Sequence, residues 1–120
     1  MTRNNPNRLQ EAPIAPIVAP MWLGAERRGA NLGAAALWRA FHHRWATAAP
    51  RQRDRLGEPV TITCPEPDGV DRQLHQRNLA FREPILAAAR SVATAAHKAI
   101  GDGALALTLG GDHALAFGTI

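Results

Sequence analysis

The sequence predicts an α/β protein in which a parallel sheet carries helices. Three observations support this. Short apolar runs alternate with longer stretches of helical period, and strand–helix–strand alternation builds right-handed crossovers and a parallel sheet. The last run, "ALALTL" at 104–109, is apolar almost throughout, as strands covered on both faces are. It ends on Gly110-Gly111-Asp112-His113, a glycine turn where a strand gives way to a helix. A chain of 120 residues, 46% hydrophobic, holds one modest domain with enough apolar content for a core.

Taken in order, residues 1–13 are polar, with Asn, Pro and Arg, and read as a flexible lead-in. Residues 14–20, "IAPIVAP", form the first strand. Pro16 removes a ladder donor, so the strand is expected to start after it or to lie near an edge. The glycines and arginines of residues 21–33 make a loop. A helix follows over about 34–45, with Leu37, Trp38, Phe41 and Trp45 on one side. Residues 46–58 are a polar, Arg-rich connection, and "PVTIT" at 59–63 is a β-branched strand. "CPEPDGVDRQLH" is a loop rich in turn residues.

The clearest helix occupies about 84–100. Pro84 suits its first turn, Glu83 and Lys98 match its dipole, and Gly101 is its expected stop. Its apolar stripe is expected to be Ile85, Ala89, Val92, Ala93, Ala96 and Ile100.

Composition excludes several classes. The net charge of +4 is carried by scattered arginines, and Lys98 is the only lysine. The dense group "RQRDR" at 51–55 is interrupted by Asp54 and reads as a solvated loop rather than a phosphate-binding patch. A nucleic-acid binder would rest on charge alone, so no nucleic-acid partner is expected. One cysteine, Cys64, permits no internal disulfide, which suits a reducing, cytoplasmic compartment. No base is evident beside Cys64, so it reads as a plain strand-end residue. The sequence opens without an apolar leader-like run, and nothing approaches the ~20 apolar residues of a membrane span.

The chemistry gathers at residues 110–113. Ligands of open parallel sheets bind beyond the carboxyl ends of the strands, and this turn lies there. The glycines allow a sharp turn and close approach, Asp112 can cap amides of the following helix, and His113 can serve as base or metal ligand. These four residues equally permit a plain reading: a glycine turn, a capping aspartate and an incidental histidine. His42, His43, His75 and His97 read as surface residues rather than ligands.

The wider pattern separates the two readings. "LTLGGDHALAFGTI" at 107–120 resembles the first metal-ligand motif of the ureohydrolases, the arginase and agmatinase family. "APMWLGAERRGANLGAAALWRA" at 19–40 resembles that family's opening segment, with Ala19-Pro20, Gly24, Arg28-Gly29, Gly33 and Leu37 in order. The resemblance covers residues 14–120. There are departures: Gly33-Ala34 replaces the family's Gly-Pro, Ala114 replaces its Ser, and Trp38 precedes Arg39. None removes a metal ligand.

The resemblance implies a three-layer αβα, arginase-like fold, present here as an N-terminal portion over 14–120. It implies Mn²⁺ as cofactor, in a binuclear centre to which His113 contributes one ligand, with Asp112 as capping or supporting residue; it assigns no catalytic residue here. The implied substrate is a guanidino compound, with arginine hydrolysed to ornithine and urea, and the implied assembly is a homotrimer or hexamer. Arginase is favoured over agmatinase by the short lead-in. The family's later Asp-x-His-x-Asp and Asp-x-Asp motifs do not occur in these residues, so this chain alone is expected to be inactive. The alternative is a catalytically inactive, truncated relative: an interaction module that pairs with an intact subunit.

Overall fold

In the computed structural model, which describes residues 8–21, 30–64 and 82–111, the apolar run after Pro13 forms the middle of a sheet. β1 (Ile14–Ala19) pairs in parallel with β2 (Val60–Thr61) on one side and with β3 (Leu105–Gly110) on the other, giving the order β2–β1–β3. Both pairings have the sense that strand–helix alternation predicts. The second strand is shorter than expected, although Ile62 still donates to the Val18 carbonyl at 2.8 Å.

Pro16 corrects the sequence expectation. It lies inside the central strand, fully buried and opposite Leu107. Ladder parity explains why this is tolerated. Ile14 donates to the Arg55 carbonyl (2.7 Å) and accepts from the Gly57 amide (2.9 Å), so even-numbered residues of β1 direct their backbone groups toward the β2 side. The N–H that Pro16 lacks would face that side, at residues 57–59, which form no strand. The β1–β3 ladder uses odd-numbered residues and loses nothing.

The same alternation sorts the side chains. Ile17, Ala19 and Met21 share one face with Ile62, and there they meet Ala88, Val92 and Ala96 of α4 (Arg82–Gly101) in the buried core. Pro16 and Val18 point to the opposite face, toward α2 (Ala30–Trp45), which packs on β1 and β3 through the fully buried Ala34. With one helix on each face, the αβα layering follows.

Each helix departs from its expected stripe. On α4 the buried positions are Ala88, Val92, Ala96 and Ala99, with Ile85 and Ala95 partly buried. Ala93 and Ile100, both expected inside, are exposed. Small alanines let the helix approach the sheet closely, so the contact face centres on them rather than on the largest side chains. On α2, Trp38, Phe41 and Trp45 follow Ala34 at helical spacing and are half-buried, and the rings of Phe41 and Trp45 stack with centroids 5.4 Å apart. Leu37 falls at the rim of that stripe and is exposed. The helix also begins a turn earlier than expected, at Ala30, and takes Gly33 into its body.

The end of α4 supplies another correction. Gly101, the expected stop, is still helical; the residue with positive φ (79°) is Gly103. Gly103 donates to the Ile100 carbonyl (3.0 Å) and Ala104 to the Ala99 carbonyl (2.9 Å), the paired bonds of a Schellman cap. A Cβ at either glycine would meet nothing within 4 Å, so backbone preference alone decides the outcome. Gly103→Ala is expected to destabilise by about 1 kcal/mol, and Gly101→Ala to stabilise by up to about 1 kcal/mol. Thermal unfolding of the two variants checks the opposite signs.

Two short helical turns complete the described chain. α1 (Arg8–Glu11) lies in the stretch expected as lead-in, and α3 (Pro50–Arg53) lies in the Arg-rich connection. The arginines there are not all free in solvent. Arg55 is half-buried, with Nε donating to the Ala12 carbonyl at 2.9 Å and Nη1 to Gln52 Oε1 at 2.8 Å. It ties the connection to the residues just before β1. The Arg51–Glu11 pair (3.1 Å) is exposed at both ends and contributes little. Among the described residues, no helix is long and apolar enough to cross a membrane.

Candidate functional site

In a parallel sheet the groups that do chemistry collect where strands end, because loops there are free to vary while the strands hold their starting points fixed. The carboxyl edge of this sheet is even. Ala19 of β1 stands opposite Gly110 of β3, and Val18 stands opposite Thr61 of β2. The Ala19 carbonyl accepts two hydrogen bonds, from Met21 N–H at 2.8 Å and from Gly111 N–H at 3.3 Å. One bond tightens the turn at Pro20 and sends the Met21 side chain into the core, where it is fully buried. The other holds Gly111 against the end of the neighbouring strand. Residues 21, 64 and 111 thus lead the chain away from one edge.

His113, the expected metal ligand, and Asp112 lie just beyond Gly111, outside the described residues. So do Gly24, Arg28 and Gly29 of the opening segment, and His75. His42 and His43, in the last turn of α2, and His97 on α4 are exposed, as a surface reading requires. The His42 ring lies 5.4 Å from that of Trp38. Cys64 is half-buried against the core, with Sγ 3.9 Å from the Ile62 carbonyl. Among the described residues, no group of three or more His, Cys, Asp or Glu side chains could hold a metal ion.

One feature that sequence reasoning missed is an open groove of about 580 Å³ between α4 and the β1–β2 side of the sheet. Ala15, Ile17, Val60 and Ile62 line its floor, and Arg90, Thr94, Lys98 and Asp102 line its helical wall. It lies on the β2 side of α4, which packs mainly over β1 and β3. Its lining runs to the last residues of α4 and the start of β1, away from the edge where Gly110 and Gly111 lie. The groove is therefore separate from the strand ends at Ala19 and Gly110. No alternation or spacing in the sequence could have signalled it, because it depends on where a helix comes to rest laterally.

Comparison with known proteins covers nearly the whole chain. The Arginase family model matches residues 12–120. An arginase from Bacillus caldovelox is 32% identical over 111 residues, which are 90% of this chain and 35% of that protein. The chain therefore spans about a third of the length of that relative.

Proposed function

Because this chain belongs to the Arginase family, we propose that it forms the first part of a manganese-dependent ureohydrolase, in which arginine and water give ornithine and urea. The observation that supports this best is the placement of Gly110 and Gly111. They end β3 level with the end of β1, and His113 follows two residues later inside the matched segment. In this reading His113 is the manganese ligand contributed here, and Asp112 caps the amides that follow it and keeps the turn in place.

The described residues do not themselves fit a pair of metal ions, since they contain no ligand cluster. The remaining ligands belong, in this reading, to parts of a family-length protein that these residues do not include. Bound manganese would supply Lewis-acid activation of water for attack on the guanidinium carbon. This chain's part is to present one imidazole at a fixed strand end. Gly110 and Gly111 bring the backbone close to Ala19, and in this reading that anchors the chain just ahead of His113 to the sheet. Assembly into trimers or hexamers belongs to the same proposal.

The test is a chimaera in which residues 12–120 replace the matched segment of the Bacillus caldovelox arginase. Urea release from arginine is expected, abolished by chelation and restored by Mn²⁺, with agmatine a poorer substrate. A folded chimaera that binds manganese but releases no urea would sink the hydrolase reading. That result would favour the non-catalytic interaction module instead.

A further inference from the structure

The groove beside β2 joins an apolar floor to a polar wall. In the floor Ile17 and Ile62 are buried, while Val60 is 51% exposed. Single exposed apolar side chains are common. This one, however, stands in a concave surface of about 580 Å³, a size typical of small-molecule sites. Ala95 and Ala99 continue the apolar surface up to the helix.

The wall is a single row set by helical period. Arg90, Thr94, Lys98 and Asp102 follow one another at spacings of four and so share one face of α4. At 1.5 Å per residue, Arg90 and Lys98 stand ~12 Å apart along the axis, with Thr94 midway. Both cations have long side chains, which can close over Thr94 from opposite sides. The Thr94 hydroxyl donates to the Arg90 carbonyl at 3.0 Å, so the cations supply the charge there. Neither Arg90 nor Lys98 makes an ion pair among the described residues. Lys98 and Asp102 make none with each other, although only one turn separates them.

We infer that this groove binds a small amphipathic carboxylate, its charge held between Arg90 and Lys98 and its apolar body laid along Val60 and Ile62. Charge complementarity selects that occupant. The row carries two positive charges and one negative, a net +1 beside an apolar floor. A monoanion with an apolar body matches both. A cation would be repelled by Arg90 and Lys98, and an elongated dianion would bring its second charge toward Asp102. Covering the floor supplies the apolar contribution, and the cations add charge-assisted hydrogen bonds. The groove does not reach the strand ends at Ala19 and Gly110, so the site stands apart from the hydrolase reading.

The test is titration of decanoate, below the concentration at which it forms micelles, into the 120-residue chain, followed by amide NMR shifts. One molecule per chain is expected to bind saturably, with shifts at residues 60–62 and 90–99, and added salt should weaken it. Decanol and decylamine have the same body without the negative charge and should bind roughly tenfold more weakly. Arg90→Gln and Lys98→Gln should each weaken decanoate about threefold and leave decanol unchanged. Asp102→Asn should tighten decanoate about twofold. These three side chains are exposed, so the melting of the unliganded variants should match that of the parent. Val60→Ser should weaken decanoate and decanol alike. Decanol binding as tightly as decanoate would overturn the proposal. So would decanoate binding unchanged by the double substitution at Arg90 and Lys98, or saturable binding without shifts at residues 60–62. Absence of saturation, or uptake of several molecules per chain, would mean adsorption to apolar surface and would overturn it too.

Discussion

Ile17→Ala is expected to lower the unfolding free energy by about 3 kcal/mol, seen as a lower denaturant midpoint at unchanged slope. Ile17 lies in the central strand and is 1% exposed. Half of its partners in the core cluster are alanines, Ala19, Ala88 and Ala96, beside Val92, Met21 and Ile62. Alanines have no rotamers with which to close a cavity, and the backbone on one side is pinned by ladders to both adjacent strands. The space left by the lost methyl and methylene groups therefore stays open, and the cavity adds to the lost transfer free energy. Domains of this size have only about 5–15 kcal/mol in total, so the loss is a large fraction. The control is Ile100→Ala, at a position 64% exposed, where a change within about 0.5 kcal/mol is expected. Equal losses at the two positions would show that the core is not where the structure places it.

His113→Ala in the chimaera is expected to reduce urea release and manganese affinity by more than about 100-fold, the upper end of what loss of a supporting residue around a metal ligand produces. A lost ligand should do at least as much. Manganese favours oxygen and imidazole donors, and an alanine offers neither. His97→Ala and His43→Ala are the controls. Both side chains are exposed on helices, away from the strand ends, and neither change should alter metal affinity. If His113→Ala binds manganese as the parent does, the glycine turn holds an incidental histidine and the plain reading of residues 110–113 stands.

Much of this was legible in sequence because it depends on local period and punctuation. The alternation of apolar runs with helical stretches gave parallel β1, β2 and β3 around α2 and α4. The near-continuous apolarity of residues 104–109 marked a strand there, and β3 occupies 105–110; coverage of both its faces was expected as well, whereas its residues are half-buried. Gly110 and Gly111 were expected at the end of that strand and are there, and the structure adds that Gly110 stands opposite Ala19. Errors fell where lateral position matters. Leu37 and Ile100 have the right chemistry and nearly the right spacing for a core face, yet both are exposed. A helix's rotation is set by which residues allow the closest approach to the sheet, and on α4 those are alanines.

Pro16 and Gly103 show the same division in the backbone. Proline in a strand argues for an edge only when its missing N–H falls on a ladder, and which ladder it faces follows from the register with β2 and β3. Two glycines close the last helix, and sequence alone pointed to the first of them. The bonds from Gly103 and Ala104 to Ile100 and Ala99 make the second the one with positive φ. The order of elements, the parallel sense of the strands and the family follow from the amino-acid sequence alone, because they rest on patterns a few residues long. The tertiary structure decided the centrality of β1, the rotation of the helices and the groove beside β2. Each of these depends on contacts between residues distant in the chain, whose mutual geometry no local pattern contains.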